Sequence, residues 1–405
     1  MRVLIVNTSS HQGGAAIAAN RLMHALCNEG VDAQMLTRSR KFPAFYWERF
    51  VIWAHNHFSR KNLFAVSIAN AGEDITKTVA FRQADIIHLH WTSQGFLSLK
   101  GLQKVFNSSK PVVITMHDMW YCTGICHHAY TCNAYETECK NCRFLRIPSD
   151  HDLANKVFHA KCNIIRNARV NVVAVSTWLA DKVRRSALLN AKATTVIPNT
   201  ISLSQFTMSD KAESRKALGL PDRNILVFGA AKLDDPIKGF GLLVDALKHM
   251  IETNENCKDE LHLALFGNIK SDKDRFLAQI PIPYTYFGII DASKLQSLYS
   301  ASDVAVSSSY YETFGQTLIE AQACGCMPVS WGNSGQVDII NHKYNGYLAD
   351  YLSVDSLADG IRWALTEGKE TITREELRAD VVSRFSEEIV AKEYINLYKQ
   401  LLKDK

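Results

Sequence analysis

Two glutamates and a glycine lie close together in the segment from Tyr311 to Val329, and their types and spacing could do chemistry. Gly315 stands at the start of a short predicted helix, where unpaired backbone N–H groups and the helix dipole suit a phosphate. Glu312 precedes this helix and Glu320 lies two turns along it, so both carboxylates can accept hydrogen bonds from sugar hydroxyls. The alternative is a pair of solvated carboxylates beside a helix. The residue types and their order favour a site for a phosphate and a sugar.

This segment resembles the retaining nucleotide-sugar glycosyltransferases of the GT-B fold, in the large family-four (group 1) class. The likeness rests on two glutamates separated by seven residues, with Phe-Gly after the first and Ala-x-Ala-x-Gly-x-x-Pro-Val after the second. The resemblance implies that Glu312 binds hydroxyls of the donor sugar and that Glu320 binds the ribose of the nucleotide. It also implies that backbone amides near Phe314, Gly315 and Gln316 hold the sugar and its diphosphate.

Two lysines upstream resemble the cations with which this family grips the donor diphosphate. Lys238 precedes a glycine, as the family's lysine does, whereas Ala230 stands where an arginine is common and Lys232 is the candidate to replace it. Cations at the diphosphate stabilise a leaving group in place of Mg²⁺, so we expect no catalytic metal. The alternative for Lys238 is a solvated lysine at the start of a helix.

In the first half of the chain, two predicted loops follow strands and carry further candidate residues. Gly13 and Gly14 permit a close backbone approach, and in the family this loop meets the donor diphosphate. His117 follows a strand and resembles the histidine that contacts the donor sugar, so we group it with Glu312 and Lys238 as a catalytic residue. His88 and His90 end another strand and line either the cleft or the core.

Five of the ten cysteines fall within Cys122–Cys142, in a loop predicted over residues 120–145. Cys139 and Cys142 form a C-x-x-C pair, which is typical of zinc ribbons. A subset of the family has four cysteines after a His-Asp-Met-Trp motif, and these match Cys126, Cys132, Cys139 and Cys142. The resemblance therefore implies a structural Zn²⁺ site, with reduced thiols or two disulfides as the alternatives.

Aromatic and basic residues alternate from Arg38 to Phe64, which is typical of a segment that lies at a membrane surface. An acceptor-binding helix pair packed on the sheet is the alternative. Residues 1–200 carry 24 Lys and Arg against 12 Asp and Glu, whereas residues 201–405 carry 22 against 29. This asymmetry suggests an anionic partner for the first half, and no other feature of the chain supports nucleic acid.

The elements that must position these residues alternate between strands and helices along all 405 residues, which indicates βαβ units. We predict an α/β fold of two doubly wound Rossmann-like domains that face each other across a cleft. The domains are an acceptor domain over residues 1–200 and a donor domain over residues 201–385. A terminal helix over residues 386–405 packs on one or both of them. With neither a signal peptide nor an apolar run of ~20 residues, we expect a cytoplasmic protein, at the inner membrane face if it binds lipid.

The resemblance implies a retaining transferase that moves a sugar from a UDP- or GDP-sugar to a glycan or lipid-linked glycan in polysaccharide biosynthesis. The leaving phosphate would accept the proton of the acceptor, and neither glutamate would be a nucleophile. The alternatives are a nucleotide-sugar epimerase, which needs no acceptor, and a protein that binds sugar nucleotides without catalysis.

Overall fold

The structure, a computed structural model, describes residues 1–39 and 43–404. The chain divides into two compact units. Unit 1 comprises Met1–Asn199 with Val390–Lys405, and unit 2 comprises Thr200–Ile389. Arg40, Lys41 and Phe42, which belong to the predicted membrane segment, lie outside the described residues.

Unit 1 is built on a parallel sheet of six strands in the order β2-β1-β3-β4-β5-β6. The strands are β1 (Arg2–Val6), β2 (Asp32–Leu36), β3 (Ile86–Leu89), β4 (Val112–Met116), β5 (Val170–Ala174) and β6 (Thr194–Val196). The helices between them are α1 (Gly14–Asn28), α2 (Ala44–His55), α3 (Val79–Gln83), α4 (Leu99–Phe106), α5 (Leu153–Ile165) and α6 (Thr177–Arg185). Every residue of β3 and β4 is buried, as expected where helices cover both faces of a parallel sheet.

Unit 2 repeats this plan with the strand order β12-β11-β10-β7-β8-β9. The strands are β7 (Asn224–Lys232), β8 (Leu261–Asn268), β9 (Tyr284–Tyr286), β10 (Val304–Ser307), β11 (Met327–Trp331) and β12 (Tyr347–Ala349). The helices are α7 (Lys211–Leu218), α8 (Phe240–Thr253), α9 (Cys257–Glu260), α10 (Lys273–Leu277), α11 (Ala292–Ala301), α12 (Gln316–Ala323), α13 (Val354–Leu365), α14 (Glu367–Thr371) and α15 (Arg374–Phe385). The predicted α/β fold with two Rossmann-like domains is confirmed.

The terminal helix α16 (Glu387–Lys403) packs against the sheet of unit 1. Its apolar face lies in one core cluster with residues of β1, β3 and β4; the buried residues of that face are Val390, Ala391, Tyr394 and Tyr398. The Tyr394 hydroxyl lies 2.9 Å from Thr115 Oγ1, and the Tyr398 hydroxyl lies 2.6 Å from His88 Nδ1. Both apolar burial and hydrogen bonds therefore join the end of the chain to its first half.

Two features of unit 2 are not evident from the sequence pattern. Strand β7 continues past an irregularity after Gly229 to Lys232. Glycine is needed at position 229 because the ring of Phe266 lies only 2.0 Å from where a Cβ would be. Helix α7 follows a segment that reads as a polar linker. It begins at the capping side chain of Asp210, which accepts from the Glu213 N–H at 2.8 Å.

Within the described residues, none of the helices combines the length and apolar character needed to cross a bilayer.

Candidate active site

The candidate phosphate site lies where the loop after β10 enters helix α12. Gly315 has φ +116°, which favours glycine, and it opens the helix. The N-cap residue Gly315 makes no side-chain cap at this end of α12, and the binding of a phosphate by the first N–H groups stays a prediction. Phe314 is 2% exposed and its ring packs edge-on against Phe385 at 5.7 Å. The buried ring anchors the loop, and the binding of the donor by backbone amides near Phe314, Gly315 and Gln316 stays a prediction.

Glu312 and Lys238 are brought together although 74 residues separate them in the chain. Lys238 Nζ lies 2.6 Å from Glu312 Oε1, and their side chains are 30% and 25% exposed. Burial disfavours the charge on Lys238, but the attraction of Glu312 and its hydrogen bond outweigh burial and hold the pKa of Lys238 above its usual value. Two predicted site residues thus form one charged, partly exposed ion pair.

The sequence analysis missed Ser309, which supports this pair. Its hydroxyl donates to Glu312 Oε1 at 2.9 Å, so the same carboxylate oxygen receives a serine and a lysine. A second serine, Ser334, accepts from the Glu312 N–H at 3.1 Å. The only signal for Ser309 in the sequence is a hydroxyl three residues before Glu312, which is too common to be informative on its own.

The turn that carries Lys238 is bound tightly to the loop after β10. Gly239 has φ +65°, and a Cβ there would lie 2.0 Å from the Ser308 carbonyl oxygen. The Ser308 hydroxyl donates to the Gly239 carbonyl at 2.9 Å, and the Tyr310 N–H donates to the Ile237 carbonyl at 2.8 Å. Glycine after Lys238 is therefore required by both conformation and space.

The other candidate positions of unit 2 are Glu320, Lys232 and Ala230. Glu320 is 7% exposed on α12, and its contact with a ribose stays a prediction. Lys232 ends β7. Burial acts to raise the pKa of Asp234, but hydrogen bonds from Ser271 and Lys270, with a smaller contribution from the charge of Lys232, hold it below its usual value. The backbone at Ala230 packs closely against Gly267, since a Cβ at Gly267 would lie 1.8 Å from the Ala230 carbonyl oxygen. The role of Lys232 as the second cation stays a prediction.

In unit 1, the predicted glycine loop precedes α1. Gly13 has φ +90°, and no atom lies within 4 Å of where its Cβ would be. The conformation, rather than crowding, therefore explains glycine at this position. Gly14 is the first residue of α1. Their approach to the diphosphate stays a prediction.

His117 follows β4, and its ring packs against that of His90. His117 Nε2 lies 2.8 Å from His90 Nδ1, and the rings stack with centroids 5.1 Å apart. Burial lowers the pKa of His117 to about 4, with Asp118 opposing that shift. His117 is therefore neutral near pH 7, so any contact with a sugar is a hydrogen bond rather than a charge interaction. That contact stays a prediction.

Comparison with known proteins identifies the family. Residues 210–382 match the family model of group 1 glycosyl transferases, and residues 12–205 match that of Glycosyltransferase Family 4. The chain is a GT-B glycosyltransferase. It is 26% identical over 403 residues to an uncharacterised glycosyltransferase of Methanocaldococcus jannaschii, a match that covers 96% of this chain and 94% of that protein.

Two solved structures show the fold that the glycosyltransferase shares. Sucrose-phosphate synthase from Thermosynechococcus elongatus superimposes with a TM-score of 0.70 and 20% identity, and the match covers 100% of both chains. Anabaena HepE in complex with UDP-glucose superimposes with a TM-score of 0.63 and 16% identity, over 99% of this chain and 100% of that chain.

The glycosyltransferase has a buried Asp-His-Ser network beside His117 that the sequence analysis missed. Asp118 Oδ2 lies 2.6 Å from His127 Nδ1, and His127 Nε2 lies 3.0 Å from Ser67 Oγ. Trp91 Nε1 also donates to Asp118 Oδ2 at 2.6 Å. Burial acts to raise the pKa of Asp118, but the charge and hydrogen bond of His127 outweigh burial and lower it to about 2. Ser67 is 0% exposed, so this network holds the loop in place and cannot supply a nucleophile to a substrate.

The structure places His88 and His90 in the core rather than at a cleft surface. They are 0% and 2% exposed, and burial lowers the pKa of His88 to about 3. His88 Nε2 lies 2.7 Å from Thr115 Oγ1, and its Nδ1 faces the Tyr398 hydroxyl. These histidines join β3 and β4 to the terminal helix.

The four predicted zinc ligands share one neighbourhood of the glycosyltransferase. Cys126 and Cys139 are buried and Cys132 and Cys142 half-buried. Burial, with a smaller contribution from neighbouring cysteines, raises the pKa of Cys139 to about 11 and that of Cys142 to about 12. All the cysteines are free, and within residues 1–39 and 43–404 no three His, Cys, Asp or Glu side chains are arranged to hold a metal ion. Zinc stays a prediction.

A buried lysine, also missed in the sequence analysis, braces this cysteine loop. Lys161 is 1% exposed and donates to the carbonyl oxygens of Trp120 at 2.6 Å and Thr123 at 3.0 Å. Its Nζ lies 3.4 Å from the centre of the Trp120 ring. Burial lowers the pKa of Lys161 to about 7. The lysine thus fixes the backbone of the loop between His117 and the cysteines.

Proposed function

We propose that the glycosyltransferase moves a sugar from a UDP- or GDP-sugar to a glycan or lipid-linked glycan in polysaccharide assembly, with retention at the anomeric carbon. The observation that carries the proposal is the 2.6 Å ion pair between Lys238 and Glu312, a few residues before the open N-terminus of α12. This arrangement offers an acceptor for sugar hydroxyls beside two donors for phosphate oxygens. The complexes of HepE with UDP and UDP-glucose support a nucleotide donor.

Lys238 and the start of α12 would act on the leaving group. As the bond between the anomeric carbon and the phosphate oxygen breaks, negative charge grows on the diphosphate, and a fixed ammonium with helix N–H groups stabilises that charge. Lys232 is the candidate for a second cation. These groups supply the positive charge that the chemistry needs, so the proposal includes no catalytic metal.

Glu312 would orient the sugar rather than attack it. Its carboxylate accepts hydrogen bonds, and the donor hydroxyls would share it with Lys238 and Ser309. In the proposed step the acceptor oxygen bonds to the anomeric carbon on the face from which the diphosphate departs. A phosphate oxygen takes the acceptor's proton, and the nucleoside diphosphate leaves.

The test is a screen of UDP- and GDP-sugars by thermal shift and by release of nucleoside diphosphate. A donor that binds only the folded protein raises its apparent stability. We expect Lys238→Ala to abolish the shift and to reduce turnover on the order of a hundredfold, because it removes a preorganised charge at the leaving group. Lys248→Ala is the matched control, since Lys248 also pairs with a carboxylate of unit 2, at 3.4 Å, but on an exposed helix face.

Three results would contradict the proposal. The first is full activity and donor affinity in Lys238→Ala. The second is conversion of the donor sugar without release of nucleoside diphosphate, which would indicate an epimerase. The third is a thermal shift without turnover in the presence of saccharide acceptors, which would indicate binding alone.

A further inference from the structure

Helix α2 and the turn that follows it expose a group of aromatic rings on unit 1. Tyr46 is 76% exposed, Trp47 55%, Phe50 52% and Phe58 68%. Ring contacts run from Trp47 to Phe50 at 5.8 Å, from Phe50 to Trp53 at 5.9 Å and from Trp53 to Phe58 at 4.8 Å. We call these five residues the aromatic surface. Contiguous apolar patches on a protein exterior mark interaction sites.

The same helix buries its charged residues, which is the reverse of an ordinary surface helix. Glu48 is 0% exposed; its Oε1 accepts from the Ile68 and Ala69 N–H groups at 2.8 Å each. Arg49 lies 2.9 Å from Glu48 Oε2 and donates to the Val66 carbonyl at 3.0 Å. This buried ion pair holds α2 with its aromatic face outward, so the folded unit keeps the rings exposed.

The exposed Arg, Lys, Asp and Glu residues within 43–64 carry charges of one sign. Glu48 is the only carboxylate in residues 43–64 and it is fully buried, whereas Arg60 and Lys61 are exposed. Arg146, also exposed, joins them, because its guanidinium donates to the His57 carbonyl at 3.2 Å. Aromatic rings flanked by Arg and Lys fit a bilayer surface, where the rings enter the headgroup region and the cations meet anionic lipid.

We propose that the aromatic surface docks unit 1 on the surface of an anionic lipid bilayer, with the rings inserted at headgroup depth. This inference goes beyond the proposed transfer reaction and rests on the exposed rings and the absence of exposed carboxylates among residues 43–64. It would bring the enzyme to a lipid-linked acceptor without a spanning helix. A second copy of the chain is the competing occupant.

The test is sedimentation of the full chain with vesicles made of equal parts phosphatidylglycerol and phosphatidylcholine, beside vesicles of phosphatidylcholine alone. We expect binding to the anionic vesicles that weakens at high salt. The double variant Trp47→Ala and Phe50→Ala should bind at least about tenfold more weakly, because two inserted rings are lost. Arg60→Gln with Lys61→Gln should weaken binding by a similar factor. The matched control is Tyr284→Ala with Tyr344→Ala, two exposed tyrosines of unit 2.

A second measurement keeps the proposal falsifiable if the double variant is unstable. Brominated lipids in the same vesicles should quench the tryptophan fluorescence of the wild-type chain, and quenching should fall clearly in Trp47→Phe. The proposal is overturned if the wild-type chain does not bind anionic vesicles, or if both aromatic and control variants bind like the wild type. It is also overturned if light scattering shows a dimer that Trp47→Ala and Phe50→Ala dissociate while vesicles capture neither form. Release of nucleoside diphosphate in vesicle-free solution reports separately on the transfer reaction.

Discussion

At the scale of single residues, the site depends on how one carboxylate is shared. Glu312 Oε1 receives both Lys238 and Ser309, and its backbone N–H is bound by Ser334. A free glutamate at the start of a loop would sample several rotamers, and ordering it on donor binding would cost entropy. The structure holds this side chain in place before a ligand arrives.

Ser309→Ala tests that account. The change removes one hydrogen bond to a charged, partly exposed group, worth about 1 kcal/mol, so we expect kcat/KM for the donor to fall about fivefold. The measurement is steady-state release of nucleoside diphosphate. Ser297→Ala is the control because, in the part of the chain that the structure describes, its hydroxyl bonds only to neighbours on α11. Equal kcat/KM in Ser309→Ala and the wild type would show that Glu312 needs no second anchor.

At the scale of elements, the turn after β7 determines where Lys238 points. Gly239→Ala would introduce both a left-handed alanine and a contact of 2.0 Å with the Ser308 carbonyl. Gly219→Ala is a close control, since Gly219 has φ +66° with no atom within 4 Å of the new Cβ. We expect about 1 to 2 kcal/mol of lost stability at Gly219 and at least about 1 kcal/mol more at Gly239. Urea unfolding measures both, and only Gly239→Ala should also weaken the donor-induced thermal shift.

The cysteine loop is the element whose ligand is still a prediction. If Cys126, Cys132, Cys139 and Cys142 bind zinc as the family resemblance implies, the purified chain contains one zinc per molecule, and Cys139→Ser loses it. Cys257→Ser, which replaces a buried cysteine of unit 2, should retain the metal. Elemental analysis with thiol titration decides between the alternatives, because a metal-free chain with ten titratable thiols after unfolding would establish reduced cysteines.

Periodicity predicted the sheets and the principal helices, since buried parallel strands are continuous apolar runs. It did not indicate α7 and α15, because their sequences are rich in Lys, Arg and Glu and show little apolar periodicity. Capping residues, such as Thr373 with Glu376 for α15, define where these helices begin. Motifs predicted Glu312 and Lys238 as site residues, but they did not predict the ion pair between them. Ser309 could not be predicted because a serine three residues before a glutamate is too common to be informative. The Asp118 network could not be predicted because it depends on Trp91 and Ser67, which are distant from it in sequence.

At the scale of the whole molecule, the first unit is completed by the last helix through polar groups that must stay neutral. The buried His88 and His90 and the half-buried His117 form one cluster, with Tyr398 and Thr115 at its edge. Such groups stabilise the fold only while they carry no charge. The link between the two ends of the chain should therefore weaken in mild acid.

The direction in which stability changes with pH follows from the pKa values of the histidines in the folded and unfolded states. Burial lowers the pKa of His88 to about 3 and that of His117 to about 4, while both return to about 6.5 in the unfolded chain. As the pH falls from about 6.5 towards 4, the unfolded chain takes up protons that the native chain does not, so stability falls by about 1.4 kcal/mol per pH unit for each histidine.

Urea unfolding at several pH values across this window measures the slope of stability against pH. His88→Gln should remove the contribution of one histidine, about 1.4 kcal/mol per pH unit, from the slope. His24→Gln, which replaces an exposed histidine, should leave the slope unchanged. Native carboxylates such as Asp118, with a pKa of about 2, lose their contribution only below this window, so an unaltered slope in His88→Gln would show that His88 is not buried neutral.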